Sequence, residues 1–210
     1  MLVLAIAVSG LVYLWAAVAG VRPLVYLLKP GTMALIITLA WGRMGPSPSL
    51  YGQAVVVGLL FSVVGDVALM MKGTRWFAGG LGAFLLAHLC YGVGFVGAGI
   101  GWAPWQALPA LVMALWAGWL LRRLLPALRE RGQGFMAAPV AVYATAISVM
   151  VWLAVCSGAP LVVTAAVLFA VSDSALAWNR FVRPLPWRDV IVMATYFTAQ
   201  TLFAWSVGGA

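Results

Sequence analysis

Residues 52–71 read GQAVVVGLLFSVVGDVALMM, and Lys72 follows. The run carries one charge, Asp66, in a stretch otherwise fit for hydrocarbon. About 20 such residues, rising ~1.5 Å each, cross a ~30 Å apolar core. Lipid leaves unpaired backbone groups unsatisfied, so the segment is read as a helix. Cutting the rest of the chain at charges and at Pro/Gly clusters gives further spans of similar length. The full set is 2–20, 24–41, 52–71, 77–98, 104–121, 136–155, 160–179 and 189–207. The expected fold is therefore all-α: a polytopic membrane bundle of eight transmembrane helices, forming a single integral domain over residues 1–210.

Composition points the same way. Of 210 residues, 65% are hydrophobic and 8% charged, against about 45–50% and about 25% in soluble domains. There is too little polar surface to wrap a water-soluble globule. That excludes a soluble enzyme, a nucleic-acid-binding domain and a disordered tail. The formal charge of +8 would suggest nucleic acid in a soluble protein. Here the basic residues occupy short gaps between apolar runs, where a membrane surface explains them. Cys90 and Cys156 lie within or near the end of apolar runs and form no disulfide framework. Met1-Leu2-Val3-Leu4 lacks a positive n-region, so the first run is read as a retained helix. Gly92, Gly94, Gly97 and Gly99 allow close helix crossings. No internal repeat stands out, which counts against an inverted-repeat transporter. Trp102 and Trp105, at a span end, read as interfacial anchors.

The gaps set the expected orientation. Arg22, Lys72, Arg75, Arg122, Arg123, Arg129, Arg131, Arg180, Arg183 and Arg188 fall in the gaps after spans 1, 3, 5 and 7, all on one side of an eight-span bundle. Lys29 enters span 2 from that side, and Arg43 alone belongs to the other. The bias makes the basic side cytoplasmic and both termini extracytoplasmic, in a cell (inner) membrane.

Two acids stand where they are costly. Glu130 and Asp189 sit at span ends, and the start of a helix favours Asp189. Asp66 and Asp173 lie inside apolar spans, at ~2.5–3.5 kcal/mol each on insertion scales. Asp66 precedes Lys72 by six residues and Asp173 precedes Arg180 by seven. Both carboxylates thus lie roughly 9–10 Å from the basic side. Span 4 places Phe77, Phe84, His88, Tyr91 and Phe95 on one stripe, and span 8 does the same with Asp189, Met193, Tyr196, Gln200 and Phe203. These faces can converge on one cavity, with Lys29, His88, Tyr91, Tyr196 and Gln200 as supporting or lining groups. A plainer reading makes the acids packing partners of Lys29 or Arg180.

The inventory restricts the chemistry. A hydrolytic zinc site needs three or four ligands, and one His with two Asp offers no such motif; no metal and no cofactor is expected. Ser62 and Ser172 lack a nucleophile elbow. Two buried carboxylates instead suit general acid–base work, one protonated and one ionised, as in glycosidases.

Lys29-Pro30, Gly65-Asp66, Phe77 to Tyr91 with His88, Ser172-Asp173 with Arg180-Phe181, and Tyr196 to Gln200 together resemble the YhhN family of membrane proteins. Tyr143 to Ser148 is also similar to that family. The resemblance covers nearly the whole chain and includes the lysoplasmalogenases. It implies a hydrolase acting on ether bonds, which splits the vinyl ether of a lysophospholipid into a fatty aldehyde and a glycerophospho-alcohol. It carries Asp66 and Asp173 over as the catalytic pair, without assigning acid and base. Arg180 and Lys72 are the candidates for the head-group phosphate. The expected partners are the lysolipid and the bilayer, with no nucleic acid. The alternative is a transporter or flippase of a small lipid or cation using the same Asp/His cluster.

Overall fold

The computed structural model describes residues 1–101 and 103–209; Trp102, expected as an interfacial anchor, lies outside the described residues. Among these, the chain is helical throughout its regular structure, with no strand. Eight helices are long and apolar enough to cross a membrane. They are α1 (Leu2–Ala19), α2 (Arg22–Arg43), α3 (Leu50–Met70), α4 (Thr74–Gly97), α5 (Ala107–Glu130), α6 (Ala137–Cys156), α7 (Pro160–Phe181) and α8 (Arg188–Ser206).

Local chemistry fixes several ends. Gly20, at φ 73°, closes α1 by donating its N–H to the Ala16 carbonyl, a left-handed cap that a glycine adopts without a Cβ clash. Pro23 sits in the first turn of α2, where its missing N–H costs nothing. Ser49 caps α3, its hydroxyl accepting from the Gly52 N–H at 3.1 Å. Pro30 does not interrupt α2, which continues through it.

Several boundaries differ from the sequence expectation: α4 begins at Thr74 and α7 runs to Phe181, which takes Arg75 and Arg180 onto helices. α2 begins at Arg22, so that arginine belongs to the helix rather than to the preceding gap. α5 runs on to Glu130 instead of stopping at 121, and takes Arg122, Arg123 and Arg129 onto the helix. The reason is apolar packing at four-residue spacing. Leu120, Leu124 and Leu128 are buried against Met136, Val140 and Phe181 in a small second core. At ~1.5 Å per residue α5 is about 36 Å long, more than the hydrocarbon requires.

The most extensive pairings join α3 to α4 and α7 to α8. Small residues set the first. A Cβ on Gly65 would lie 2.6 Å from the Phe84 ring, and one on Gly97 2.6 Å from Leu50. Gly94 packs on Ala54, and Gly58 lies against the ring of Tyr91. A Cβ on Gly99, by contrast, would meet none of the described residues within 4 Å. α1 flanks α2 and α8, and α5 flanks α6 and α7.

The two ends of the bundle differ in charge. At one end, Gly20, Arg22, Met70 and Arg188 surround a single cavity, and Arg131 donates to the carbonyls of Arg180 and Val182. The α1–α2, α3–α4, α5–α6 and α7–α8 connections therefore share that end. At the other, Arg43 donates to the Trp205 carbonyl at 2.7 Å and lies over its ring. Trp105, in a short 3-10 turn ahead of α5, is exposed.

Candidate active site

A cavity of about 340 Å³ opens among α1, α2, α3, α4, α7 and α8 at the basic end. Asp66 from α3 and Asp173 from α7 both line it, as do Lys29 and Tyr196. The two acids have different surroundings. Lys29 Nζ is 3.0 Å from Asp66 Oδ1, and the Tyr196 hydroxyl donates to Oδ2 at 2.7 Å. Asp66 is 2% exposed. A cation and a donor on its two oxygens satisfy an ionised carboxylate.

Among the described residues, no lysine or arginine pairs with Asp173. The Tyr143 hydroxyl donates to its Oδ2 at 2.5 Å. His88 Nε2 stands 3.5 Å from the same oxygen, too long for a strong hydrogen bond, and it has no other partner among the described residues. His88 Nδ1 lies 2.6 Å from the Phe84 carbonyl. A carbonyl only accepts, so Nδ1 carries a hydrogen. When the ring is neutral, the nitrogen without a hydrogen is therefore Nε2, the one that faces Asp173. Phe169, tilted over the imidazole with centroids 4.6 Å apart, holds the ring in place.

The remaining expected residues fall into two groups. Tyr91 and Gln200 do not line the cavity. They form a buried chain in which the Tyr91 hydroxyl donates to Gln200 Oε1 at 2.7 Å and Gln200 Nε2 donates to Ser62 Oγ at 2.9 Å. Ser62 passes its own hydrogen to the Gly58 carbonyl. This chain is a polar clamp between α3, α4 and α8. Lys72 and Arg180 do not line the cavity either; Arg180 lies over the Phe77 ring instead, 5.0 Å from its centroid. The cations at the cavity mouth are Arg22 and Arg188. Arg188 also pairs with Asp189 at 2.5 Å.

Three contributors escaped sequence reading: Tyr143 as the donor to Asp173, and Arg22 and Arg188 as mouth cations. Tyr143 does fall in a segment singled out for resemblance, but nothing there indicates what it touches. The Ser172 hydroxyl donates to the Val192 carbonyl at 3.0 Å, so both candidate serines are committed to main-chain oxygens. Among the described residues, no group of three His, Cys, Asp or Glu stands close enough to hold a metal ion.

Fold and site define a polytopic membrane protein whose water-accessible cavity reaches two acids inside the bundle. The YhhN family matches residues 24–207, and the chain belongs to that family. It is 34% identical over 163 residues to a human protein named lysoplasmalogenase TMEM86B, a match covering 78% of this chain and 66% of that protein. It is 33% identical over 162 residues to human lysoplasmalogenase TMEM86A, covering 72% of this chain and 64% of the relative. A Mycobacterium bovis protein named lysoplasmalogenase is 38% identical over 158 residues, covering 70% of this chain and 58% of the relative. The matched stretch thus spans less than two thirds of each relative's length. No solved structure matches the chain.

Proposed function

We propose that this protein is a membrane hydrolase that cleaves the vinyl ether of a lysoplasmalogen-type lysolipid, with Asp173 as acid and Asp66 as base. The observation that carries the assignment is the unequal company of the two carboxyls in one cavity. Asp66 meets an ammonium and a phenol donor, which favour the anion. Asp173 meets a phenol donor and, 3.5 Å away, an imidazole nitrogen that carries no hydrogen when the ring is neutral. A carboxyl proton on Asp173 gives that nitrogen the donor it lacks. The names of the curated relatives support the substrate class.

The chemistry follows from those states. Asp173 delivers its proton to the outer alkene carbon, and the ether carbon becomes an oxocarbenium ion. The Asp66 carboxylate stabilises the cation and takes a proton from the water that adds to it. As the hemiacetal collapses, its hydroxyl proton passes to Asp173 and the leaving alkoxide takes the proton held by Asp66. One water is consumed and both acids return to their starting states. No acyl carbonyl is involved, so committed serines are no obstacle. His88 and Tyr143 position Asp173, and Lys29 and Tyr196 position Asp66. Arg22 and Arg188 at the mouth suit the lysolipid phosphate. In this reading the basic end faces the cytoplasm of the cell membrane.

Purified protein in mixed micelles should release aldehyde from a lysoplasmalogen. Asp173→Asn and Asp66→Asn should each lower the rate by ~10²–10⁴, the usual reach of a general acid or base; thermal unfolding should change little in Asp173→Asn and move to lower temperature in Asp66→Asn, which leaves Lys29 unpaired. A transporter using the same cluster would release no aldehyde. Full activity in both well-folded variants would refute the acid–base assignment.

A further inference from the structure

Asp173 stands at a junction. Leu69, Phe84, Asp173 and Leu176 line the polar cavity and also a second, narrower one of about 40 Å³. This crevice lies among α3, α4, α5, α6 and α7 and is walled almost wholly by aliphatic and aromatic carbon. The hydroxyls that line it are already engaged. The Tyr143 hydroxyl donates to Asp173, and the Ser174 hydroxyl donates to the Ala170 carbonyl. A polar occupant would leave its own groups unsatisfied there.

We infer that the crevice receives the first carbons of the lysolipid's hydrocarbon tail and, by doing so, sets which alkene carbon meets Asp173. The inference rests on the hydrolase reading. A lysolipid has one polar and one apolar half, and the vinyl ether is where they join. The protein has one polar and one apolar cavity, and Asp173 is where they join. With the head group held near Arg22 and Arg188, the first tail carbons pass the Asp173 carboxyl into the crevice. The reverse placement would bury a phosphate in carbon. Ala144 and Ala177 are the small residues of the crevice wall, so its depth depends on their size.

The test is a tail-length series at fixed mole fraction in mixed micelles, read as kcat/KM for aldehyde release. In parallel, binding is measured for saturated 1-alkyl lysolipids, which lack the alkene and do not turn over. In the wild type, kcat/KM should rise about fourfold per methylene until the crevice is filled. In Ala144→Leu and Ala177→Leu the rise should stop at shorter tails. Leu120→Ala, which widens the wall, should move the plateau to longer tails. The alkyl analogues should show the same plateaus. Unchanged plateaus in the folded variants would overturn the tail site, even with aldehyde released normally. Shifted binding plateaus without any aldehyde would keep the tail site and sink the hydrolase reading instead.

Discussion

Asp66 and Asp173 are chemically identical and physically unlike, because one neighbours an ammonium and the other an imidazole. Breaking a buried ion pair strands a charge at about 3–5 kcal/mol. Lys29→Met should therefore lower stability by that order, and adding Asp66→Asn should restore much of it; thermal unfolding of both variants and the single Asp66→Asn closes the cycle. Tyr143→Phe removes the hydrogen bond that the Tyr143 hydroxyl donates to Asp173. It should cut aldehyde release by about tenfold, the cost of roughly 1.4 kcal/mol in the transition state, while leaving alkyl-lysolipid binding intact. The two acids were legible in the sequence because a charge inside an apolar run is costly wherever the run ends up. Tyr143 was not, since a phenol in an apolar helix has no such marker. Arg22 and Arg188 were indistinguishable from Lys72 and Arg180, because which gap cation meets a cavity depends on helix rotation and tilt.

At the scale of helices, the α3–α4 seam holds the site in shape. Gly65 precedes Asp66 and lies against Phe84, whose ring lines both cavities and whose carbonyl takes the His88 hydrogen. A methyl at position 65 would drive the ring away. Gly65→Ala should cost about 1–3 kcal/mol by overpacking, seen as a lower unfolding temperature together with reduced turnover. The stripe on α4 from Phe84 to Phe95 could be read from spacing alone, because burial follows the period of the helix. The reach of α5 to Glu130 could not. The Arg122-Arg123 pair and Pro126 look like an ending, and only the partners of Leu124 and Leu128 show why the helix goes on.

For the whole molecule, length and hydropathy sufficed to count the helices, since each must match the same hydrocarbon thickness. Charge placement separates the ends: eleven of the twelve basic residues belong to the end with the polar cavity. With that end in the cytoplasm, and in a background without Cys90 and Cys156, Gly132→Cys should resist a membrane-impermeant maleimide on intact cells. Ser47→Cys, at the opposite end, should react. The reverse pattern would invert the proposed orientation. The pairing of Lys29 with Asp66 also bears on biogenesis. Each alone would enter the bilayer at ~2.5–3.5 kcal/mol, but α2 and α3 are consecutive and their charges cancel across the hairpin. The two segments are therefore suited to leave the translocon together, as a neutral unit, with this wall of the polar cavity already assembled during synthesis.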